Sequence, residues 1–187
     1  LDTFIYRASH DIRGPLRSIT GLAQIGIMET QAKAEREIFN HILTTTAKLD
    51  ATLNDLLEII RLNHNSQPKE NINFQILLDK IIESFAFQYD MKLFKIETDI
   101  DDISDYKSDK VAVQSILQNL FENGLKYRDE KKSNAFLKIK IKRSQDFIEI
   151  LFEDNGIGID NEEKDKIFQM FYKISSNSHG TGLGLYI

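Results

Sequence analysis

The sequence lacks cysteine and tryptophan altogether and contains only two prolines among its 187 residues. The absence of cysteine excludes disulfide bonds and thiolate metal sites, although it does not fix the compartment. The net charge of −5 offers no basic surface to a phosphate backbone, which argues against nucleic-acid binding. No apolar run approaches the roughly 20 residues of a membrane-spanning helix, and the first residues do not resemble a signal peptide. With 41% apolar and 28% charged residues, the composition is typical of a soluble globular protein.

Residues 1–62 show no strand pattern and predict two helices joined by a polar turn at 28–32. Apolar residues recur in alternating steps of three and four, which is the spacing of a narrow coiled-coil seam. Since two helices alone bury little surface, the seam predicts a second copy and a dimeric four-helix bundle. The alternative is packing onto the rest of the same chain. The seam comprises Ile5, Ala8, Ile12, Pro15, Ile19 and Leu22, then Phe39, Ile42, Thr46, Leu49, Leu53, Leu56 and Ile60.

The second half of the sequence alternates between helical and strand patterns. Residues 63–70 are polar and contain a proline, so they predict a linker. Strand patterns on both sides of a short turn predict an antiparallel pair, with lysines on one strand attracting glutamates on the other. We therefore expect residues 71–187 to form an α/β sandwich with helices on one face of a mixed sheet. Helices are predicted over 74–87 and 109–127, and strands over 96–100, 137–142 and 148–153.

A histidine in the first predicted helix has unusual neighbours. If the apolar seam faces a partner, His10 points away from it and presents an exposed imidazole. Asp11 can accept the imidazole N–H, fix the tautomer and leave the other nitrogen nucleophilic. Pro15 removes a helical hydrogen bond at a cost of about 3 kcal/mol and predicts a kink, and such local strain is typical of functional sites. The alternative is a surface histidine near a helix bend, which is how we interpret His41 and His64.

Two asparagines on the long helix predict a ligand site. Asn119 and Asn123 are four residues apart and share a face, which Lys126 and Tyr127 continue one turn later. An asparagine carbonyl suits Mg²⁺, which usually binds together with substrate phosphates and water. The alternative is a helix cap or an internal amide bond. The adjoining buried face is predicted to comprise Val113, Ile116, Leu117 and Leu120.

Two glycine-containing segments complete the candidate site. The segment 154–158 follows a strand directly, its glycines allow a ligand to approach the backbone, and Asp154 offers an acceptor suited to an exocyclic amine. The segment 179–185 is glycine-rich and predicts a helix start whose N–H groups bind phosphate oxygens. Between them, the polar stretch 160–179 with its aromatic cluster predicts a mobile lid. Plain turns share each of these patterns, so none is decisive alone.

In this order the motifs resemble those of the sensor histidine kinases of two-component signalling. Residues 9–16 are similar to the H box of that family and residues 119–127 to its N box. Residues 154–158 match the G1 box, Phe168 and Phe171 the F box, and residues 180–184 the G2 box. The resemblance implies a dimerisation and phosphotransfer hairpin at 1–62, a linker at 63–70, and at 71–187 an ATP-binding domain of the gyrase, chaperone and histidine kinase type.

The resemblance also implies a role for each matching residue. His10 would take the γ-phosphoryl group of ATP, with Asp11 orienting it and accepting its proton. Asn123 would hold Mg²⁺ with support from Asn119, and Asp154 would read the adenine amino group. Lys126, Lys173 and the amides of the last glycine segment would steady the phosphates. The implied nucleotide-binding residues are Asn119, Asn123, Lys126, Tyr127, Asp154, Gly156, Gly158, Phe168, Lys173, Gly180, Thr181, Gly182, Leu183 and Gly184.

The implied partners lie outside this sequence. The phosphoryl group would pass to an aspartate of a response-regulator receiver domain, and an upstream sensor domain would belong to a cytoplasmic or membrane-anchored parent protein. Because the sequence begins in a helical pattern and ends early in the helix after the G2 box, we expect an excised fragment whose ATP domain lacks its last elements.

Two residues distinguish between related activities. Gly14 stands where many relatives carry a Thr or Asn that positions water, so weak phosphatase activity is expected. Asn119 stands where ATP hydrolases of the superfamily place a glutamate one turn before Asn123, which disfavours hydrolysis. The third alternative is a dimeric signalling scaffold whose nucleotide site is degenerate.

Overall fold

The computed structural model describes residues 2–64, 68–103, 105–145, 147–174 and 180–187, with side chains from Ser9 to Leu62 in the first range. The chain divides into two compact units. One comprises Leu1–Asn65 and Ile167–Tyr186, and the other comprises Ser66–Lys166 together with Ile187. The division into 1–62, 63–70 and 71–187 follows chain order and stays a prediction.

The first unit contains the predicted pair of helices. Helix α1 spans Asp2–Glu29 and helix α2 spans Lys33–His64, so the break at 30–32 falls inside the predicted turn. Helix α1 continues through Pro15, and a kink there stays a prediction. In the part of the chain that the structure describes, no helix is both long and apolar enough to span a bilayer.

The contact between the two helices includes seam positions on α2 but follows a neighbouring line on α1. Positions seven apart are buried, namely Ser9, Leu16 and Ala23 on α1 and Thr46 and Leu53 on α2. Ile12, Ile19, Leu22 and Leu49 of the predicted seam are exposed in the single chain, so their burial against a second copy stays a prediction. A pattern of alternating threes and fours marks the apolar side of a helix, but only one line on that side faces the neighbouring helix. The side chains of Ile5 and Ala8 lie outside the description.

The second unit begins with a short strand and contains the rest of the α/β pattern. Asn73 accepts a hydrogen bond from the N–H of Ile76, and Asp109 from those of Val111 and Ala112, so each caps the helix that follows it. In chain order the elements are β1 (Glu70–Asn71), α3 (Phe74–Phe85), β2 (Phe94–Ile100), β3 (Lys107–Ser108), α4 (Lys110–Lys126), β4 (Ala135–Arg143) and β5 (Ile148–Asp154).

The strands form the predicted mixed sheet. Its order is β2-β4-β5, with β2 parallel to β4 and β4 antiparallel to β5. The register places Lys138 opposite Glu153 and Lys142 opposite Glu149, as expected, although the ammonium of Lys142 pairs with Asp99 and Asp101 instead. Strands β1 and β3 form a separate antiparallel pair that the sequence analysis missed.

Helices α3 and α4 contribute with the sheet to one apolar core. The rings of Phe85 and Phe121 lie 5.7 Å apart, and Phe121 is completely buried. On α4 the buried apolar positions are Leu117, Phe121 and Leu125, spaced by four, while Ile116 is exposed and was wrongly assigned to the core. The core cluster consists of Ile72, Phe74, Leu77, Leu78, Ile81, Phe85, Ile103, Leu117, Phe121, Leu125, Leu137, Ile139 and Ile141.

Charged side chains hold the loop after β2 against the end of β4. The Nζ atom of Lys142 lies 2.9 Å from Oδ1 of Asp99 and 3.0 Å from Oδ1 of Asp101. The backbone N–H of Arg143 donates to Oδ2 of Asp101 at 3.1 Å. The hydrogen bond from Arg143, followed by that from Lys142, lowers the pKa of the Asp101 carboxyl below its ordinary value. These bonds fix the chain as it leaves the sheet.

Candidate functional site

His10 is an exposed side chain on α1, as the sequence analysis expected. Its Nδ1 atom lies 3.5 Å from Oδ1 of Asp11, and both side chains are 81% exposed. When Nδ1 carries the proton and donates it to Asp11, the lone pair of Nε2 remains available to an electrophile. The pair therefore has the arrangement of a nucleophile with a neighbouring proton acceptor.

Arg13 links the two helices one turn after His10. Its Nη2 atom donates to Oδ1 of Asn54 at 2.8 Å, and its Nε atom lies 3.4 Å from Oδ1 of Asp50. Asn54 also donates to Asp50 at 3.4 Å, which closes a triangle of polar contacts. Sequence reasoning missed this triangle because its partners are 37 and 41 residues away along the chain.

The two asparagines of α4 have different surroundings. The Asn119 amide donates to the hydroxyl of Ser115 at 3.4 Å. The side chain of Asn123 is half-buried and has no hydrogen-bond partner among the described residues, so its amide oxygen can act as a ligand. Those residues contain no cluster of three or more His, Asp or Glu side chains suited to a metal. The amide oxygen of Asn123 is thus a group that could serve as one ligand to Mg²⁺.

Residues 154–158, called the G1 loop from here on, meet the end of α4. The N–H of Ile157 donates to the backbone oxygen of Tyr127 at 3.0 Å. The N–H of Gly156 donates to Oδ1 of Asp154 at 2.8 Å, while Oδ2 has no hydrogen-bond partner among the described residues. Gly158 has a φ of 76°, a backbone conformation that favours glycine. The structure thus brings Asp154, Gly156 and Gly158 to the helix that carries Asn123 and Tyr127.

Gly156 is required by a close approach. A Cβ atom there would lie 2.3 Å from the backbone oxygen of Tyr127, well inside van der Waals contact. Lys126, the residue before Tyr127, has its Nζ atom 5.2 Å from the centroid of the Tyr127 ring. The close approach between the G1 loop and the end of α4 therefore leaves no room for a side chain at position 156.

The glycine-rich segment belongs to the unit that contains α1 and α2. Gly180 and Gly182 have φ values of 115° and 79°. A Cβ atom on Gly182 would lie 2.8 Å from the carbonyl carbon of Phe171 and 2.8 Å from the backbone oxygen of Tyr172, so this segment packs closely against the aromatic turn. Phe171 itself has a φ of 64°, which is unfavourable for a side chain with a Cβ atom.

Thr181 attaches the same segment to α2. Its hydroxyl donates to the carboxylate of Asp55, and Leu183 beside it is completely buried. Where a helix start was predicted after the glycines, the structure has a turn, in which the N–H of Tyr186 donates to the oxygen of Leu183 at 3.0 Å. Phe168 and Lys173 are exposed, and His179 lies outside the described residues.

Two known families match the sequence. Residues 1–65 match the family described as "His Kinase A (phospho-acceptor) domain". Residues 108–187 match the family described as "Histidine kinase-, DNA gyrase B-, and HSP90-like ATPase". His10, Asp11 and Arg13 lie in the first match, and all the other candidate residues lie in the second.

Individual relatives resemble the chain over nearly its whole length. The "Aerobic respiration control sensor protein ArcB homolog" of Haemophilus influenzae is 30% identical over 195 residues, covering 99% of this chain and 58% of that protein. The "Signal transduction histidine-protein kinase BarA" of Escherichia coli is 28% identical over 193 residues, covering 98% of this chain and 21% of that protein. The chain thus spans between a fifth and three fifths of these curated relatives.

A solved structure supports the fold. The "Crystal structure of ShkA full-length in complex with AMPPNP" superposes with a TM-score of 0.72 at 19% identity, covering all of this chain and 39% of that one. At this identity the likeness concerns the fold, a helical region followed by an α/β domain with a mixed sheet.

Proposed function

Because the chain belongs to the sensor histidine kinases, we propose that it uses ATP to phosphorylate His10 and passes the phosphoryl group to a receiver-domain aspartate. The observation that carries this proposal is the exposed imidazole of His10, with Nδ1 held 3.5 Å from Asp11. It lies within the segment matching the phospho-acceptor family. Together, the transfer from ATP to His10 and the transfer from His10 to the receiver aspartate make up the two-component signalling reaction.

The chemistry of the first step follows from the His10–Asp11 pair. The lone pair of Nε2 attacks the γ-phosphorus, an N–P bond forms, and the bond between that phosphorus and the bridging oxygen of ADP breaks. The imidazole would become positively charged, so the proton on Nδ1 moves to Asp11. The product is a neutral phosphorylated ring and ADP. Asp11 acts twice, as the group that orients the ring and as the acceptor of its proton.

The G1 loop is proposed to receive the adenine. Oδ1 of Asp154 is engaged by Gly156, and Oδ2 is left to accept a hydrogen bond from the exocyclic amino group. ShkA, which shares the fold, has been solved in complex with the ATP analogue AMPPNP, and this supports a nucleotide in a domain of this kind. Gly156 and Gly158 leave space beside the backbone for the planar base.

The phosphates are assigned to polar groups around Asn123 and the glycine-rich segment. Asn123 would hold Mg²⁺ through its amide oxygen, supported by Asn119, and the metal when bound neutralises phosphate charge. Lys126 and Lys173 supply further positive charge. The amides of residues 180–184, including Thr181 and Leu183, supply hydrogen bonds to phosphate oxygens.

The residue one turn before Asn123 favours transfer over hydrolysis. Activation of water needs a general base, and Asn119 carries an amide that cannot accept a proton at neutral pH. In the structure the Asn119 amide donates to the hydroxyl of Ser115. Asn119 itself supplies no carboxylate that could activate water. Phosphoryl transfer to a histidine side chain needs no base at position 119, because Asp11 accompanies the nucleophile.

Exposed apolar side chains on α1 support a homodimer. Ile12, Ile19 and Leu22 are exposed in the single chain, Leu22 by 68%. Side chains of this size are each stabilised by about 1.5–3 kcal/mol on full burial. A second copy packing against this line would form the four-helix bundle. Because ATP is an intracellular substrate, we place these domains in the cytoplasm, downstream of a sensor domain in a longer protein.

The test compares labelling from γ-labelled ATP and Mg²⁺ in the wild type, His10→Gln and His41→Gln. We expect acid-labile, base-stable label in the wild type and in His41→Gln, an exposed histidine on α2, and none in His10→Gln. Chase with a purified receiver domain should then remove the label. Label that persists in His10→Gln, or ATP-analogue binding without any phosphohistidine, would contradict the proposal, the second result favouring a scaffold.

A further inference from the structure

We propose that Lys132, which follows α4, is a positioning residue that fixes the G1 loop and with it the adenine-binding carboxylate of Asp154. The inference rests on the proposed function, because it takes the G1 loop to be the adenine site. Lys132 is one of two adjacent lysines in the connection between α4 and β4, and no motif singles it out.

Lys132 holds two successive carbonyl groups of the G1 loop. Its Nζ atom lies 2.7 Å from the backbone oxygen of Asn155 and 3.4 Å from that of Gly156. On its other side Nζ lies 3.7 Å from Oδ2 of Asp129, three residues earlier. A charged donor between two loop carbonyls and a carboxylate stabilises one orientation of the loop.

Asn155 provides a second connection to the same segment. Its Oδ1 atom accepts a hydrogen bond from the N–H of Phe136 at 2.9 Å, and its Nδ2 atom donates to the backbone oxygen of Asn134 at 3.0 Å. Both ends of this amide are therefore engaged by the beginning of β4. Its role is to position the loop, while Asp154 next to it faces the ligand.

The orientation of Asp154 depends on these contacts. Oδ1 of Asp154 accepts the N–H of Gly156, whose own carbonyl is held by Lys132. If the ammonium is removed, the peptide between residues 156 and 157 loses one of its two fixed ends, the other being the bond from Ile157 to Tyr127. The carboxylate then samples more orientations and meets the adenine amino group less often.

This reasoning predicts a particular kinetic pattern. An interaction with adenine is present in both the ground state and the transition state, so its loss raises KM for ATP and leaves kcat nearly unchanged. We expect Lys132→Met to weaken AMP-PNP binding and raise KM about five- to fifty-fold, less than the full loss of a charge-assisted hydrogen bond because Lys132 acts on adenine only through the loop. Lys132→Arg retains a charged donor and should stay within about threefold of the wild type.

The experiment measures AMP-PNP affinity by calorimetry, KM and kcat for autophosphorylation, and melting temperature. Lys131→Met is the matched control, since the side chain of Lys131 has no hydrogen-bond or ion-pair partner among the described residues, and it should behave as wild type. Wild-type affinity in Lys132→Met overturns the inference and leaves the proposed function intact. A lower kcat or a lower melting temperature without a change in KM also overturns it, because that pattern indicates a general structural role. A wild type that binds no AMP-PNP overturns the proposed function and the inference with it.

Discussion

Replacing Gly156 by alanine tests the close approach between the G1 loop and α4. The added Cβ would lie 2.3 Å from the backbone oxygen of Tyr127 and 2.8 Å from Oδ1 of Asp154. Ordinary contact begins near 3.4 Å, so the two segments must separate by about 1 Å. That movement breaks the hydrogen bond from Ile157 to Tyr127, now 3.0 Å long.

The expected change in the free energy of unfolding follows from two destabilising contributions and one stabilising contribution. Loss of the hydrogen bond costs about 1 kcal/mol, and forced packing costs roughly 1–3 kcal/mol. The reduced entropy of the unfolded chain returns about 0.4–1 kcal/mol. Gly156 does not have a positive φ, so no backbone strain is added. We expect a net destabilisation of about 1–3 kcal/mol, together with weaker AMP-PNP binding.

Urea unfolding followed by circular dichroism gives the stability, and calorimetry gives the affinity. Gly21→Ala is the control, because a Cβ on Gly21 of α1 meets nothing within 4 Å. Gly21→Ala should raise the free energy of unfolding by up to about 1 kcal/mol, because alanine has a higher helix propensity than glycine. If Gly156→Ala retains both the unfolding midpoint and the AMP-PNP affinity of the wild type, the close approach described here does not exist in solution.

Three further predictions concern other parts of the chain. Gly14→Thr, where a Cβ meets nothing within 4 Å, should leave stability within roughly 0.5 kcal/mol and accelerate dephosphorylation of a phosphorylated receiver; an unchanged rate contradicts the proposed role of this position. The pKa of Asp101 is lowered by hydrogen bonds from the Arg143 backbone and then Lys142, so its stabilisation is present above the ordinary pKa of about 3.9 and disappears as pH falls through the lower folded value. The free energy of unfolding of Asp101→Asn should therefore depend less steeply on pH below about 4. The same pH dependence in the variant and the wild type would refute this. Thr181→Val removes the hydroxyl that donates to Asp55 and should cost about 1–3 kcal/mol in thermal unfolding, while Thr181→Ser should not.

Helices and strands with a sustained period could be predicted from the sequence. The predicted helix at 109–127 forms at Lys110–Lys126, and the strand at 148–153 forms at Ile148–Asp154. Hydrophobic period and capping are local properties, so one sequence is enough to read them. Strands β1 and β3 contain two residues each, which is too few for any period to appear.

Contacts between distant residues could not be predicted in the same way. The apolar side of α1 was visible, but whether Leu16 or Ile12 faces α2 depends on the partner helix, and the structure selects Leu16. Motifs identified His10, Asn123 and Asp154 because these residue types have their own chemistry. Lys132 acts through backbone carbonyls 23 and 24 residues later, and backbone carbonyls carry no sequence signature.

The unbroken course of α1 past Pro15 also depends on distant contacts. Proline inside a helix costs about 3 kcal/mol, yet α1 continues to Glu29. Residues close to the proline supply compensation: Arg13, two residues before it, donates to Asn54 at 2.8 Å, and Leu16, directly after it, is buried between the helices. An exposed hydrogen bond from a charged group contributes up to about 1 kcal/mol, and burial of a leucine about 1.5–3 kcal/mol. Together these contributions offset most of the cost of the proline. His10 can therefore lie near the missing hydrogen bond at Pro15 while contacts with α2 keep the helix in place.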